Sequence, residues 1–396
     1  MLEKRLKELA TQQTLHANEP THPDLATSYH NVGCAYEELG KFGDALEYYM
    51  IALKIRIKIY ADEPNHPDLA TSYYDTGCAY GNVNEKEKCL EYCLKALAIR
   101  EIIYADNPYC VDMAKTYRSV AEAYHYLGNH EKSLEYYLKA VQVWEVVYAE
   151  NPNCRDLGTA YIRTADEYFS LGNYEKALEY YFKTLAIYKI IYADETKRAE
   201  GFLLSATYYW IGVTYRELGE KEKSLEWLLQ ALRIRERAFA DDSDNSSMAS
   251  LYADVGYAYR LLGDYENALT YYLKSSHKWE RINCLDRNHP DVALGYSNIG
   301  YTYYRLGEYE KALEYYLKAL RIYETVYAGY PNHPDLANGY YNVAYTYEQL
   351  ADYENALFYY EKAKQAFTEE KYVALAEEKI ALMKEKLGIT EEERED

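Results

Sequence analysis

His22, His66, His289 and His333 recur in one register along the chain, each followed by Pro-Asp, and Cys110 and Cys154 occupy the same register between them. A column of imidazoles and thiols is the chemistry of a zinc site. One zinc ion gathers its ligands at about 2.0 to 2.3 Å, whereas equivalent positions on stacked helical units lie roughly 10 Å apart. The column therefore reads as helix-start packing ahead of a proline. Cys89 and Cys93 lie four residues apart on one helix face, but they replace an Ala and a Tyr of the other copies, so a core role fits them better than a metal. No metal and no cofactor is expected. No Gly-rich phosphate loop follows a strand pattern, no nucleophile elbow occurs, and pairs such as Glu308 and Glu310 are ordinary exposed helix charges. The chain is not expected to be an enzyme.

The register exists because the chain repeats itself. The stretch GEYEKALEYYLKALRIYE, residues 307–324, has near copies throughout, and the Leu after its first small residue falls at Leu46, Leu90, Leu134, Leu178, Leu225, Leu269, Leu313 and Leu357. Successive spacings are 44 residues, except for 47 between Leu178 and Leu225. Such regularity means stacked supersecondary units. Tyr296, Ile299, Gly300 and Tyr303 in a first segment, and Ala312, Leu313, Tyr316, Ala319 and Leu320 in a second, have three- and four-residue spacing. Each unit is thus predicted to be a helical hairpin.

The punctuation agrees. Gly40, Gly128, Gly172, Gly219, Gly263 and Gly307 fall where a first helix must stop, while Pro23, Pro67, Pro290 and Pro334, each followed by Asp, suit helix starts. Tyr316 and its equivalents Tyr49, Tyr137, Tyr181, Tyr272 and Tyr360 are expected to fill the space between hairpins, with the other tyrosine of each pair, such as Tyr315, at the rim.

Composition narrows the partners. The 396 residues include 64 acidic and 44 basic ones, a net charge of −20, which disfavours nucleic acid and anionic membrane surfaces. No run approaches a membrane span, and the opening MLEKRLKELATQQ has no leader signature. Seven cysteines, several at helix positions, read as free thiols of a reducing compartment. A soluble, cytoplasmic protein is expected.

The pattern resembles the tetratricopeptide repeat family: Tyr29, Val32, Gly33, Tyr36, Ala45, Tyr49 and Ala52 in the first unit match its signature, as do Tyr296, Ile299, Gly300, Tyr303, Ala312, Tyr316 and Ala319 in the seventh. The family's unit has about 34 residues, so this version is about ten longer, and with HPDLATSY it is similar to the kinesin light chain and nephrocystin branch. The resemblance implies an all-α, right-handed α-solenoid of eight hairpins with helical caps at both ends. The expected organisation is a capping helix over residues 1–20, repeats over 21–369, and a capping helix with acidic tail over 370–396. The alternative for the N-terminal segment is a start inside a longer array. The longer, irregular loops predict a bend between residues 193 and 248.

With the leading aromatic of each first helix taken as position four, positions two, six, nine and thirteen share a face directed away from the second helix. The resemblance implies that this face lines a concave groove for a partner peptide. Asn298, Asn342 and Asn338, with Tyr257, Tyr301, Tyr345 and Arg305, are the candidate site, suited to an extended protein segment through amide contacts and ring burial. Lys115, Arg118 and Arg163 form a possible secondary basic patch, beside Glu122 and Asp166. The family's chaperone-tail clamp is not reproduced in any three consecutive units. The expected function is a protein-interaction scaffold; the alternative is a receptor for a short, pheromone-like peptide.

Overall fold

The computed structural model describes residues 1–192, 198–238, 246–282 and 288–389, the side chains of residues 198–200 excepted. Among them every regular element is an α-helix. The chain divides into two compact units, Met1–Ala193 and Asp194–Asp396.

The first unit holds α1 (Leu2–Leu15), α2 (Pro23–Glu38), α3 (Phe42–Ile59), α4 (Pro67–Asn82), α5 (Lys86–Ile103), α6 (Val111–Tyr126), α7 (His130–Val147), α8 (Arg155–Ser170) and α9 (Tyr174–Ile191). The second holds α10 (Arg198–Glu217), α11 (Lys221–Ala238), α12 (Ser246–Leu261), α13 (Tyr265–Ile282), α14 (Pro290–Arg305), α15 (Tyr309–Val326), α16 (Pro334–Gln349), α17 (Tyr353–Ala366) and α18 (Glu370–Leu387). Within each unit every helix packs on the next, so each is a solenoid of four hairpins, with α1 packed on α2 and α18 on α17. The bend expected between residues 193 and 248 turns on loops 193–197 and 239–245, which lie outside the described residues, as does the tail from residue 390. Among the described residues no helix is long and apolar enough to cross a membrane.

The histidine column starts helices. The Nδ1 of His22, His66, His289 and His333 accepts the backbone N–H of Asp24, Asp68, Asp291 and Asp335 at 3.2–3.3 Å, just ahead of the proline-led first turn. The same rings stack on the preceding aromatic, His66 on Tyr60 at 3.6 Å and His333 on Tyr327 at 3.5 Å between centroids. Cys89 and Cys93 are buried, as their core positions require.

The paired tyrosines divide their work. Tyr49, Tyr137, Tyr181, Tyr272, Tyr316 and Tyr360 are buried, filling the space inside the stack. The partner ring, typified by Tyr315, is half-buried between two first-helix tyrosines, Tyr296 at 6.0 Å and Tyr303 at 5.7 Å. Lys318 Nζ covers the Tyr315 ring at 4.6 Å. In six hairpins a buried tyrosine ring sits within, while the second and fifth place Cys93 and Leu228 there, also buried.

Candidate functional site

Tyr257 on α12, Tyr301 on α14 and Tyr345 on α16 are all half-buried, each with one ring edge committed to the core. Tyr257 and Tyr301 meet through a cation. The Arg260 guanidinium lies 4.6 Å from the Tyr257 ring centre and 4.9 Å from that of Tyr301. The pattern extends both ways: Arg216 of α10 lies 5.4 Å from Tyr257, and Arg305 lies 4.6 Å from Tyr265 while donating to Tyr301 Oη at 2.8 Å. The result is a ladder in which arginines and tyrosines alternate across three repeats.

Tyr345 belongs to a different cluster. It meets Tyr304 in a tilted contact at 5.2 Å and stacks on Tyr341 at 6.2 Å, and Lys379 of α18 lies 5.1 Å from its ring. Lys379 also pairs with Glu348 at 2.9 Å. The three tyrosines expected as one column are therefore split, two in the ladder and one beside α18.

Charge is unevenly compensated along the ladder. Arg216 pairs with Asp254 at 3.2 Å, and Tyr209 Oη donates to the same carboxylate at 3.0 Å. Burial pushes the Asp254 carboxyl up; Tyr209 and Arg216 pull it back. Arg260 has no hydrogen bond or ion pair among the described residues, and its guanidinium lies between two rings with its N–H donors unpaired. The Asn298 and Asn342 carbonyls accept from Thr302 and Thr346 at 2.7 Å, while their side-chain amides have no partner among the described residues. Asn298 borders a cavity of about 190 Å³ with Asp254, Leu294 and Gly295, and Asn338 borders one of about 160 Å³ with Phe367 and Tyr372.

The basic patch of the first unit is largely paired. Arg118 Nε lies 3.7 Å from Glu122 and Arg163 Nη1 lies 3.4 Å from Asp166, leaving Lys115 as the exposed member without a partner among the described residues. A cavity of about 650 Å³ lies here, walled by Tyr74, Asp75, Cys78, Asn82, Arg118 and Glu122 on α4 and α6. Asp75 Oδ2 and Arg118 Nε are buried without a hydrogen-bond partner. Burial pushes the Asp75 carboxyl up to about 7, against the pull of Arg100. Two buried arginines pin these repeats together: Arg56 Nη1 donates to Asp68 O at 3.3 Å and Ser72 Oγ at 2.7 Å, and Arg100 does the same to Asp112 O and Thr116 Oγ1. Sequence reasoning did not single out Arg260 or the cavity beside Asp75.

Sequence profiles of the tetratricopeptide repeat match residues 25–68, 70–102, 112–190, 203–275, 247–325 and 337–366. No curated protein matches the chain. Among solved structures, the chain is similar to BtubC (BKLC) from P. vanneervenii, with 21% identity and TM-score 0.48, covering 60% of this chain and 90% of that one. It is similar to a putative kinesin light chain with nearly identical TPR-like repeats from Podosopora anserina, with 16% identity and TM-score 0.44 over 54% of this chain and 95% of that one. It is similar also to the apo form of RapI, with 19% identity and TM-score 0.49 over 79% of this chain and 99% of that one.

Proposed function

Since the chain belongs to the tetratricopeptide repeat family, we propose that it is a protein-interaction scaffold whose second unit takes an extended, acidic and aromatic segment of a partner on the face of α12, α14 and α16. The observation that carries this reading is Arg260, held between Tyr257 and Tyr301 with its donors unused. A guanidinium fixed by two rings loses little freedom on meeting a carboxylate, and the ring walls offer burial to an aromatic neighbour. The unpartnered amides of Asn298 and Asn342 suit the backbone of the same segment.

A second docking place has its own support. The cavity of about 650 Å³ in the first unit is walled by groups of both signs, two of them with buried unpartnered atoms. It suits a side chain or terminus that both donates and accepts.

The test is fluorescence anisotropy with labelled extended peptides, acidic-aromatic against charge-reversed versions, on the full chain. Acidic peptides are expected to bind, to weaken with salt, and to lose about 10- to 100-fold in affinity with Arg260→Ala. Asn298→Ala with Asn342→Ala should weaken binding while leaving thermal unfolding unchanged. Equal binding of charge-reversed peptides, or equal affinity in the Arg260 variant, would refute the second-unit site.

A further inference from the structure

His125 at the end of α6, His130 at the start of α7 and Glu167 on α8 converge from three helices. His125 Nδ1 lies 2.7 Å from Glu167 Oε1 and His130 Nδ1 lies 2.8 Å from Oε2, while the carboxylate itself is 1% exposed. We propose that these three side chains form a site for a divalent transition metal of the zinc class, an assignment that departs from the expectation of no metal drawn from the histidine column.

The repeats provide an internal comparison. At the position of Glu167 the neighbouring repeats have Ala123 and Thr214, and every other repeat has Ala or Thr. Neither the position of His125 nor that of His130 carries a histidine in any other repeat. Three departures in three separate columns meet at one point. A buried carboxylate is costly unless compensated, so Glu167 has no reason to replace a small residue for packing alone.

The local hydrogen bonding favours added positive charge. Ser133 Oγ lies 2.9 Å from both Ala121 O and Glu167 Oε1, and its single proton can serve one of these acceptors at a time. When it serves the carbonyl, its own oxygen faces the carboxylate. A cation bound to Glu167 relieves that opposition.

The geometry is close to what a metal requires. The three ligand atoms lie within 4.8 Å of one another, and the imidazoles meet edge to face rather than stacked, with an interplanar angle of 76°. Ligands at about 2.0 to 2.2 Å around a tetrahedral ion are separated by about 3.3 Å, so each present contact must open by about half an ångström. His125 and His130 are 40% and 33% exposed, which gives the ion an entry path and leaves the fourth position to water. Two imidazole nitrogens and one carboxylate match a zinc-class ion with an open position better than calcium or magnesium. His16, Glu19 and His22 also lie close together, but His16 and His22 are stacked at 3.6 Å and His22 Nδ1 already caps α2.

The test is a titration of the full chain, stripped with a chelator, with Co²⁺ followed by visible absorption, and with Zn²⁺ followed by calorimetry. A tetrahedral Co²⁺ spectrum, displaced by Zn²⁺, is expected for the parent chain and for His16→Tyr, which removes the other group. Affinity should fall at least about tenfold in His125→Ala and in His130→Ala. Both are partly exposed side chains, and circular dichroism checks that each variant stays folded, whereas Glu167→Gln alters a buried group. No Co²⁺ or Zn²⁺ binding by the parent, binding unchanged in both His125 and His130 variants, or binding lost only in His16→Tyr would each overturn the assignment.

Discussion

His30 Nδ1 on α2 lies 3.5 Å from Asp75 Oδ2 on α4, and burial drives the two groups in opposite directions. The imidazole is lowered to about 4, by burial first and then by Arg56, and the carboxyl is raised to about 7. Both shifts favour the neutral forms. In the unfolded chain Asp titrates near about 3.9 and His near about 6.5. From about pH 4 to 7 the folded chain keeps an Asp75 proton that the unfolded chain has lost, so Asp75 makes stability fall as pH rises. From about pH 4 to 6.5 the unfolded chain carries a histidine proton that the folded chain lacks, so His30 makes stability rise.

These slopes oppose each other over their shared window, and single variants should separate them. Asp75→Asn is expected to unmask a rise in the urea midpoint between about pH 4.5 and pH 6.5, and His30→Gln a fall over the same range. If both variants keep the parent's pH profile, burial does not govern this pair.

Arg260 and Tyr301 should be energetically coupled even without a ligand. A cation held 4.9 Å from a partly desolvated ring is stabilised by about 0.5–1 kcal/mol. Arg260→Gln, Tyr301→Leu and the double variant form a cycle in chemical denaturation, with a coupling of about that size expected. A coupling indistinguishable from zero would mean the stacking is incidental to folding.

The fold was legible because its determinants are local. The His-Pro-Asp starts and the glycine stops each act within about one helix turn, and the 44-residue spacing repeats them, so the hairpins follow from the chain alone. The seat of Tyr315 between Tyr296 and Tyr303 was not legible, since it depends on how far one helix is rotated against another.

The candidate site was legible by column and not by contact. Tyr257 and Tyr301 of position nine share Arg260, yet Tyr345 is engaged by Tyr304 and Lys379 instead of Tyr301. Arg260 was missed because it sits one place before position thirteen of that face, and its setting depends on a ring in the next repeat. His125, His130 and Glu167 occupy three different columns, so comparing repeats one column at a time hides their convergence.

Ala351 holds a left-handed turn with φ +59°, where Gly307 in the preceding hairpin has φ +79°. An L-residue with a Cβ is strained there by about 1–2 kcal/mol, and glycine loses part of that gain to its greater freedom when unfolded. Ala351→Gly should therefore stabilise the second unit by about 0.5–1 kcal/mol, read as a higher urea midpoint with unchanged slope. Gly307→Ala should shift the midpoint the other way. A lower midpoint in Ala351→Gly would show that the strain is relieved by its surroundings.

Arg100 couples packing to the Asp75 site. It is 5% exposed, stacks 4.7 Å above Tyr74 and donates to the start of α6, so truncation leaves a cavity and unpaired acceptors. Arg100→Ala is expected to cost about 2–4 kcal/mol. The equivalent positions in other repeats hold Tyr188 and Tyr323, both buried, so Arg100→Tyr should recover most of that loss. It should not restore the electrostatics. Arg100 is the main group holding the Asp75 carboxyl down against burial, so in Arg100→Tyr the carboxyl should rise further above its present value of about 7. Carbon-13 NMR of the Asp75 carboxyl across the neutral range reads this directly. An unchanged titration alongside recovered stability would mean that Arg100 serves only as a pin between repeats.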